Sequence, residues 1–149
     1  METLLDKSKV KDFILAGNAM ITLESGVTGR RFTYQIKQQV TYSNFYGVRL
    51  ITGPDAKKNW KFLGTILAKP FRFDLFPRVE RDNYSVKALD FLISHIDSLP
   101  EKLNVYNAGR CCYCGRELTT PESIKRGYGV RCAKAHNLPY DEVEDESES

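Results

Sequence analysis

The sequence predicts an α+β fold: an antiparallel sheet of about four or five strands with helices on one face, followed by a small cysteine-rich module. Three observations carry this expectation. Short alternating segments separated by turn residues fill the stretch from Ala19 to Leu75. One clear 3.6-residue periodicity follows at 85–99. All four cysteines then fall between Cys111 and Cys132.

Taken in order, residues 6–17 space Val10, Phe13 and Ile14, with Leu5 ahead of them, as a short amphipathic helix ending at Gly17. Ala19–Leu23 reads as a strand, Glu24–Gly29 as a turn and Arg31–Ile36 as the partner strand of a hairpin. Phe45–Thr52 gives a third strand, closed by Gly53-Pro54-Asp55, and Trp60–Leu67 a fourth after a lysine-bearing loop. Pro70 interrupts, and Phe71–Leu75 adds a short edge strand. The helix from Ser85 to Leu99 takes Ser85 as N-cap, presents Ala88, Leu89, Leu92, Ile93, Ile96 and Leu99 on one face, and is stopped by Pro100. His95 on that helix reads as solvated or capping. The expected division is an α+β domain at 1–104, a metal module at 105–138 and a disordered acidic tail at 139–149.

The chain has 149 residues and 42% apolar content, enough for one domain with a core plus a small module. No apolar run approaches the ~20 residues of a membrane span, which predicts a soluble protein with no membrane partner. The first residues, Met1–Lys7, lack a basic segment leading into an apolar run, so no secretory signal is expected. That places the chain in a reducing, cytoplasmic compartment, where disulfides are disfavoured. The net charge of +3 hides a division. Asp141, Glu142, Glu144, Asp145, Glu146 and Glu148 lie in a tail without lysine or arginine, so the body carries all 22 basic residues against 13 acids. Basic bodies with acidic tails suit polyanionic partners, and the tail can compete for the basic surface.

The cysteines carry the most specific signal. Cys111 and Cys114 form a Cys-x-x-Cys pair, and Cys132-Ala133-Lys134-Ala135-His136 supplies Cys-x-x-x-His. This is the spacing of a structural Zn²⁺ site with ligands Cys111, Cys114, Cys132 and His136. A helix over 129–136 would put Cys132 and His136 on one face. A set containing Cys112 stands as the alternative for the fourth ligand. A redox role for the pair is weaker, because such pairs open a helix after a strand, whereas Gly115–Pro121 reads as turn and loop.

The run Gly109-Arg110-Cys111-Cys112-Tyr113-Cys114-Gly115-Arg116-Glu117-Leu118-Thr119-Thr120-Pro121-Glu122-Ser123-Ile124, continuing through Gly127-Tyr128-Gly129 to Cys132, resembles a family of small zinc-binding domains. Those domains, of unknown function, occur in bacteriophage and mobile-element proteins. Their pattern is Cys-x-x-Cys-Gly-Arg-x-Leu-Thr-x-Pro-x-Ser, then Gly-x-Gly ahead of a third cysteine. Relatives carry a histidine a few residues before the first cysteine, where this chain has Asn107, so the fourth ligand here falls to His136 or Cys112. The resemblance implies a zinc element and a phage setting, with the host cytoplasm as location, and no reaction. The spacer itself agrees with a treble-clef-like arrangement, with Gly127 and Gly129 easing entry into the last helix and Leu118 and Ile124 covering the site.

Two kinds of function fit. The first is a non-enzymatic nucleic-acid-binding protein using Arg110, Arg116, Lys125, Arg126, Arg131 and Lys134 for phosphates and Tyr128 for stacking. Arg30, Arg31, Lys57, Lys58, Trp60 and Lys61 form a second basic patch. The other is a protein-binding adaptor or inhibitor that engages a host enzyme or defence complex. An enzyme is not expected: Asp55, Asp74, Glu80 and Asp82 have no catalytic spacing, no phosphate-binding glycine loop occurs, and no small-molecule substrate is suggested.

Overall fold

The computed structural model describes residues 2–118, 123 and 126–138. The acidic tail, Lys125 and Ile124 lie outside these residues. The fold is α+β, built on seven antiparallel strands rather than four or five. They are β1 (Thr3–Leu4), β2 (Asn18–Ser25), β3 (Arg31–Gln38), β4 (Phe45–Ile51), β5 (Trp60–Leu67), β6 (Arg72–Leu75) and β7 (Leu103–Asn107). A 3-10 turn at Lys7–Lys9 leads into α1 (Val10–Ile14), and α2 spans Tyr84–Ser94. A short α3, Val130–Ala135, lies in the C-terminal segment. Among the described residues no helix is long and apolar enough to cross a membrane.

The strand order is β1-β7-β2-β3-β4-β5-β6. Five strands from β2 to β6 form a meander, which is why their local patterns are readable. The other two are not local. β7 enters between β1 and β2, aligning Val105 with Leu23 and Thr22 with Tyr106, and Asn107 with Thr3 on its other side. It is short, mixes polar with apolar residues, and its partners lie far away in sequence, so nothing nearby announces it. The expected boundary at 104/105 falls inside this strand.

One face of the sheet builds the core. Ala19, Ile21 and Leu23 alternate along β2 and face Ile36, Tyr34 and Val105 across the ladders, with Val48 beyond Ile36. These residues share one buried cluster with Val10, Phe13 and Ile14 of α1 and Val86, Leu89, Leu92 and Ile93 of α2. Each fully buried aliphatic side chain of this kind contributes about 1.5–3 kcal/mol. The Tyr34 hydroxyl donates to the Ser85 carbonyl at 2.6 Å, pinning α2 to β3. Ser85 is therefore a buried anchor and the N-cap is Asn83. The helix also stops before Leu99. His95 takes the C-cap, its ring stacked on Phe91 and Nδ1 3.0 Å from the Phe91 carbonyl oxygen, while Ile96 and Leu99 still pack on the core.

On the opposite face, Glu24 joins three strands. It accepts from Arg31 Nη1 at 2.7 Å, Asn104 Nδ2 at 3.3 Å and the Tyr106 hydroxyl at 3.0 Å. Those hydrogen bonds, with Arg31 foremost, hold its carboxyl below the ordinary carboxylate range. Its contribution is present above that range and lost as pH falls through the lowered value. Glu24→Gln should accordingly flatten the loss of stability below about pH 5 in urea titrations at stepped pH. Tyr34→Phe should cost about 1–3 kcal/mol at neutral pH, because the Ser85 carbonyl loses its buried donor. The urea midpoint should fall with the slope unchanged.

Candidate metal centre

The cysteine cluster is assembled where β7 runs off the sheet. Asn107 is fully buried, and its Oδ1 accepts from the backbone N–H of Gly109 at 3.0 Å and of Arg110 at 3.3 Å. A side-chain carbonyl that binds the N–H groups ahead of it turns the chain sharply. The Arg110 backbone then forms a single antiparallel bridge with Glu117, the Cys111 N–H reaches the Arg116 carbonyl at 2.8 Å, and the Gly115 N–H reaches the Cys111 carbonyl at 2.8 Å. Arg110 Nη1 adds a bond to the Gly115 carbonyl at 3.1 Å. The result is a small knuckle carrying Cys111 and Cys114. Gly115 has φ +77°, and a Cβ there would stand 2.5 Å from Asn18 Nδ2. The left-handed backbone at this position favours glycine, and the absence of a side chain leaves room for Asn18 against the knuckle.

Cys112 locks the knuckle to the sheet. Its carbonyl accepts the Asn18 N–H at 2.7 Å, and its N–H donates to the Gly127 carbonyl at 2.8 Å. Gly127 has φ +91°, and a Cβ there would lie 2.5 Å from Phe13 Cε2, so α1 packs directly on the returning chain. From Gly129 the chain enters α3, which bears Cys132.

The ligand atoms of Cys111, Cys114 and Cys132 lie within 4.8 Å of one another and could hold a metal ion. A tetrahedral zinc site with Zn–S near 2.3 Å sets its sulfurs about 3.8 Å apart, so a small contraction of this cluster suffices. The electrostatics suit that role. Burial raises the Cys111 thiol, but N–H groups of Cys114, Tyr113 and Gly129 and the Cys132 thiol outweigh it, leaving its pKa lowered. Cys132 is pushed up to about 12 by burial and by the hydrogen bonds it shares with Cys111 and Cys114. A thiolate cradled by amides beside a thiol that donates to it is a set a cation can occupy by displacing protons.

Neither expected candidate for the fourth ligand belongs to this group. Cys112 sits in the main core at 3% exposure, and burial pushes its thiol up to about 12. Adjacent cysteines thus divide between two interiors, Cys111 with Leu118 in a small cluster and Cys112 with the sheet. His136 is the C-cap of α3 and is exposed, its ring stacked on Tyr113 with centroids 4.3 Å apart. Helical spacing brings His136 over the knuckle, and the aromatic contact holds it there outside the sulfur group.

The expected basic surface divides as well. Arg116, Arg131 and Lys134 are exposed. Arg110 is bound to the knuckle, and Arg126 is half-buried beside Phe13 and Tyr128. Tyr128 is half-buried, packed on Cys111 and Leu118 and edge-on to Tyr113. The position is that of a covering side chain. In the second patch, Arg31 is paired with Glu2 and Glu24 and Arg30 lies over Tyr84, so neither joins Trp60. Of the scattered acids, Asp55 caps its own turn through the Lys57 N–H and Asp74 pairs with Arg72.

Fold and site together define an α+β protein with a C-terminal three-cysteine cluster able to hold a metal ion. Residues 104–137 match the model of a family of unknown function (DUF6011), a stretch that takes in all but the first residue of β7, the knuckle and α3. No curated protein and no solved structure matches the chain.

Gly127→Ala should destabilise the protein by about 1–2 kcal/mol from the backbone conformation alone, with a further cost from the Phe13 contact. Phe13→Leu in the same chain should recover part of that second cost. A double-mutant cycle by urea unfolding measures the coupling.

Proposed function

We propose that the protein is a non-enzymatic accessory protein whose C-terminal module is held by a structural Zn²⁺ and binds nucleic acid through phosphate contacts. The observation that carries this reading is the convergence of Cys111, Cys114 and Cys132 in one site, on a segment whose Arg116, Arg131 and Lys134 are exposed. We take His136 as the fourth ligand, reached by turning its ring off Tyr113. Four protein ligands close the coordination sphere and leave the ion a fold-holding role. When bound, the metal supplies folding free energy on the order of 10 kcal/mol. The protein's own groups do the rest: Asn107 sets the turn, Gly115 and Gly127 allow close docking, and the amides around Cys111 stabilise its thiolate. Arg116, Arg131 and Lys134 read backbone charge, with no base-specific pattern among them, so binding is governed by salt rather than by sequence. The phage setting implied by the motif makes a host nucleic acid or the phage's own the natural target.

Metal content separates the ligands. Cys114→Ser and Cys132→Ser should each lose the bound equivalent and raise amide exchange at Gly115 and Leu118, while α2 stays protected. Cys112→Ser should keep the metal and lose stability through the core. His136→Ala should weaken metal affinity by at least tenfold in a competition titration; an unchanged affinity removes His136 from the set.

For the nucleic-acid reading, the zinc-loaded protein is titrated into labelled duplex oligonucleotide across a salt series. Replacing Arg116, Arg131 and Lys134 together by alanine should reduce the salt slope by about 2.7. Absence of binding at low salt moves the assignment to a protein partner, the adaptor class.

A further inference from the structure

We propose that the face of the sheet opposite the core is a second site, a platform for single-stranded nucleic acid, separate from the metal centre. A groove of about 440 Å³ runs across β3, β4 and β5 on this face. Its floor and walls use Gln35 and Lys37 of β3, Gly47 and Arg49 of β4, and Trp60 and Phe62 of β5.

The register explains the grouping. Gln35 pairs with Arg49 and Lys37 with Gly47, so these four lie on one face. Between β4 and β5 the register shifts at Val48/Arg49, with Val48 opposite Gly64 and Arg49 opposite Phe62. The extra residue, Leu63, stays in the core at 1% exposure, and Phe62 is left on the groove side next to Arg49. Bulges re-aim side chains and deepen local twist in this way. Gly47 leaves the floor open: a Cβ there would make only ordinary contact, 3.7 Å from Phe62 Cε1.

The chemistry selects the occupant. Lys37 and Arg49 are exposed, neither has an ion-pair partner among the described residues, and the groove lining contains no carboxylate. That is a surface complementary to an anion. Trp60 is 39% exposed with the Arg49 guanidinium 4.1 Å above its ring, and Phe76 holds the Phe62 ring in a T-shaped contact at 5.5 Å. Rings beside cations that have no carboxylate partner among the described residues offer stacking and phosphate contact at once, the combination that binds unpaired bases on open sheets and barrels. The rim is apolar where Val40 is wholly exposed. A duplex keeps its base faces buried in its own stack and cannot use the rings. An acidic peptide would use the cations alone.

Trp60 is the sole tryptophan of the chain and lines this groove, so its fluorescence gives a local report on occupancy. Titration of a twelve-residue oligothymidylate into the zinc-loaded protein should quench that fluorescence saturably, whereas the matching duplex should leave it unchanged. With 5′-labelled oligothymidylate read by anisotropy, Trp60→Ala should weaken binding about tenfold. Lys37→Ala with Arg49→Ala should lower the salt slope by about 1.4. Gly47→Val keeps every charge and fills the floor; it should weaken binding while thermal unfolding is unchanged. The triple alanine variant of Arg116, Arg131 and Lys134 should retain the quench. Binding that is lost in the triple variant and leaves Trp60 fluorescence unmoved overturns the platform and leaves the metal-module reading standing. A quench of equal size with duplex, or with polyglutamate, overturns the single-strand assignment. A quench that survives Lys37→Ala with Arg49→Ala and also Gly47→Val removes the groove as its source.

Discussion

The backbone ladder between β7 and β2 is the interaction on which the rest of the molecule depends. It places Asn107 at full burial at the exact edge where the sheet ends and the cysteine knuckle begins. From there a continuous set of main-chain bonds runs through Ala108 to Met20, Asn18 to Cys112 and Cys112 to Gly127. The cysteine cluster is therefore an extension of the sheet rather than a bead on a linker. Metal binding to such a site adds its free energy to an already packed base, and the sheet in turn pre-positions two of the three sulfurs. The usual cost of ordering loose ligands is thereby reduced.

The same ladder divides labour between the two faces of the sheet. One face is committed to the core with α1 and α2 residues, and the Glu24 network on the other ties β7, β2 and β3 at one edge. Farther along that second face, polar and aromatic residues are left in the open. A half-covered antiparallel sheet is a common arrangement. What distinguishes this one is the placement of a bulge beneath Arg49 and Phe62, which gathers a cation and a ring side by side.

Much of this was legible in the residues, and the illegible parts have definite causes. The β2–β3 hairpin announces itself through Glu24–Gly29, and β4 and β5 through alternation bounded by Gly53-Pro54-Asp55. These are contacts between neighbours in sequence. β1 and β7 pair with strands remote in the chain, and no local pattern encodes a partner so far away. The cysteine spacing at 111, 114 and 132 brought the three sulfurs into view at once. Spacing could not reveal that Cys112 belongs to the other interior, because two adjacent residues look alike until the direction of the main chain is known. His136 shows the complementary limit, since helical periodicity gives its face but not the Tyr113 ring that engages it. Asn107, offered by the motif only as the place of an absent histidine, turns the chain instead. The groove had a weak signal, Gln35/Lys37 against Gly47/Arg49 at matched alternation, which acquires meaning only with the register.

The central place of β7 also governs how the chain acquires its structure. Glu24 of β2 and Asn104 of β7 are bonded across a sequence separation of 80 residues. A chain synthesised from its N-terminus completes the β2–β6 meander while one side of β2 still waits for its neighbour. Until then β2 presents an open row of amides and carbonyls alongside apolar Ala19, Ile21 and Leu23, the condition that invites pairing with foreign strands. Closure comes only with β7, immediately ahead of the cysteines. An ion held by the three cysteines at that moment would favour capture of the late strand, and occupancy at the margin of the fold would shield its middle from aggregation.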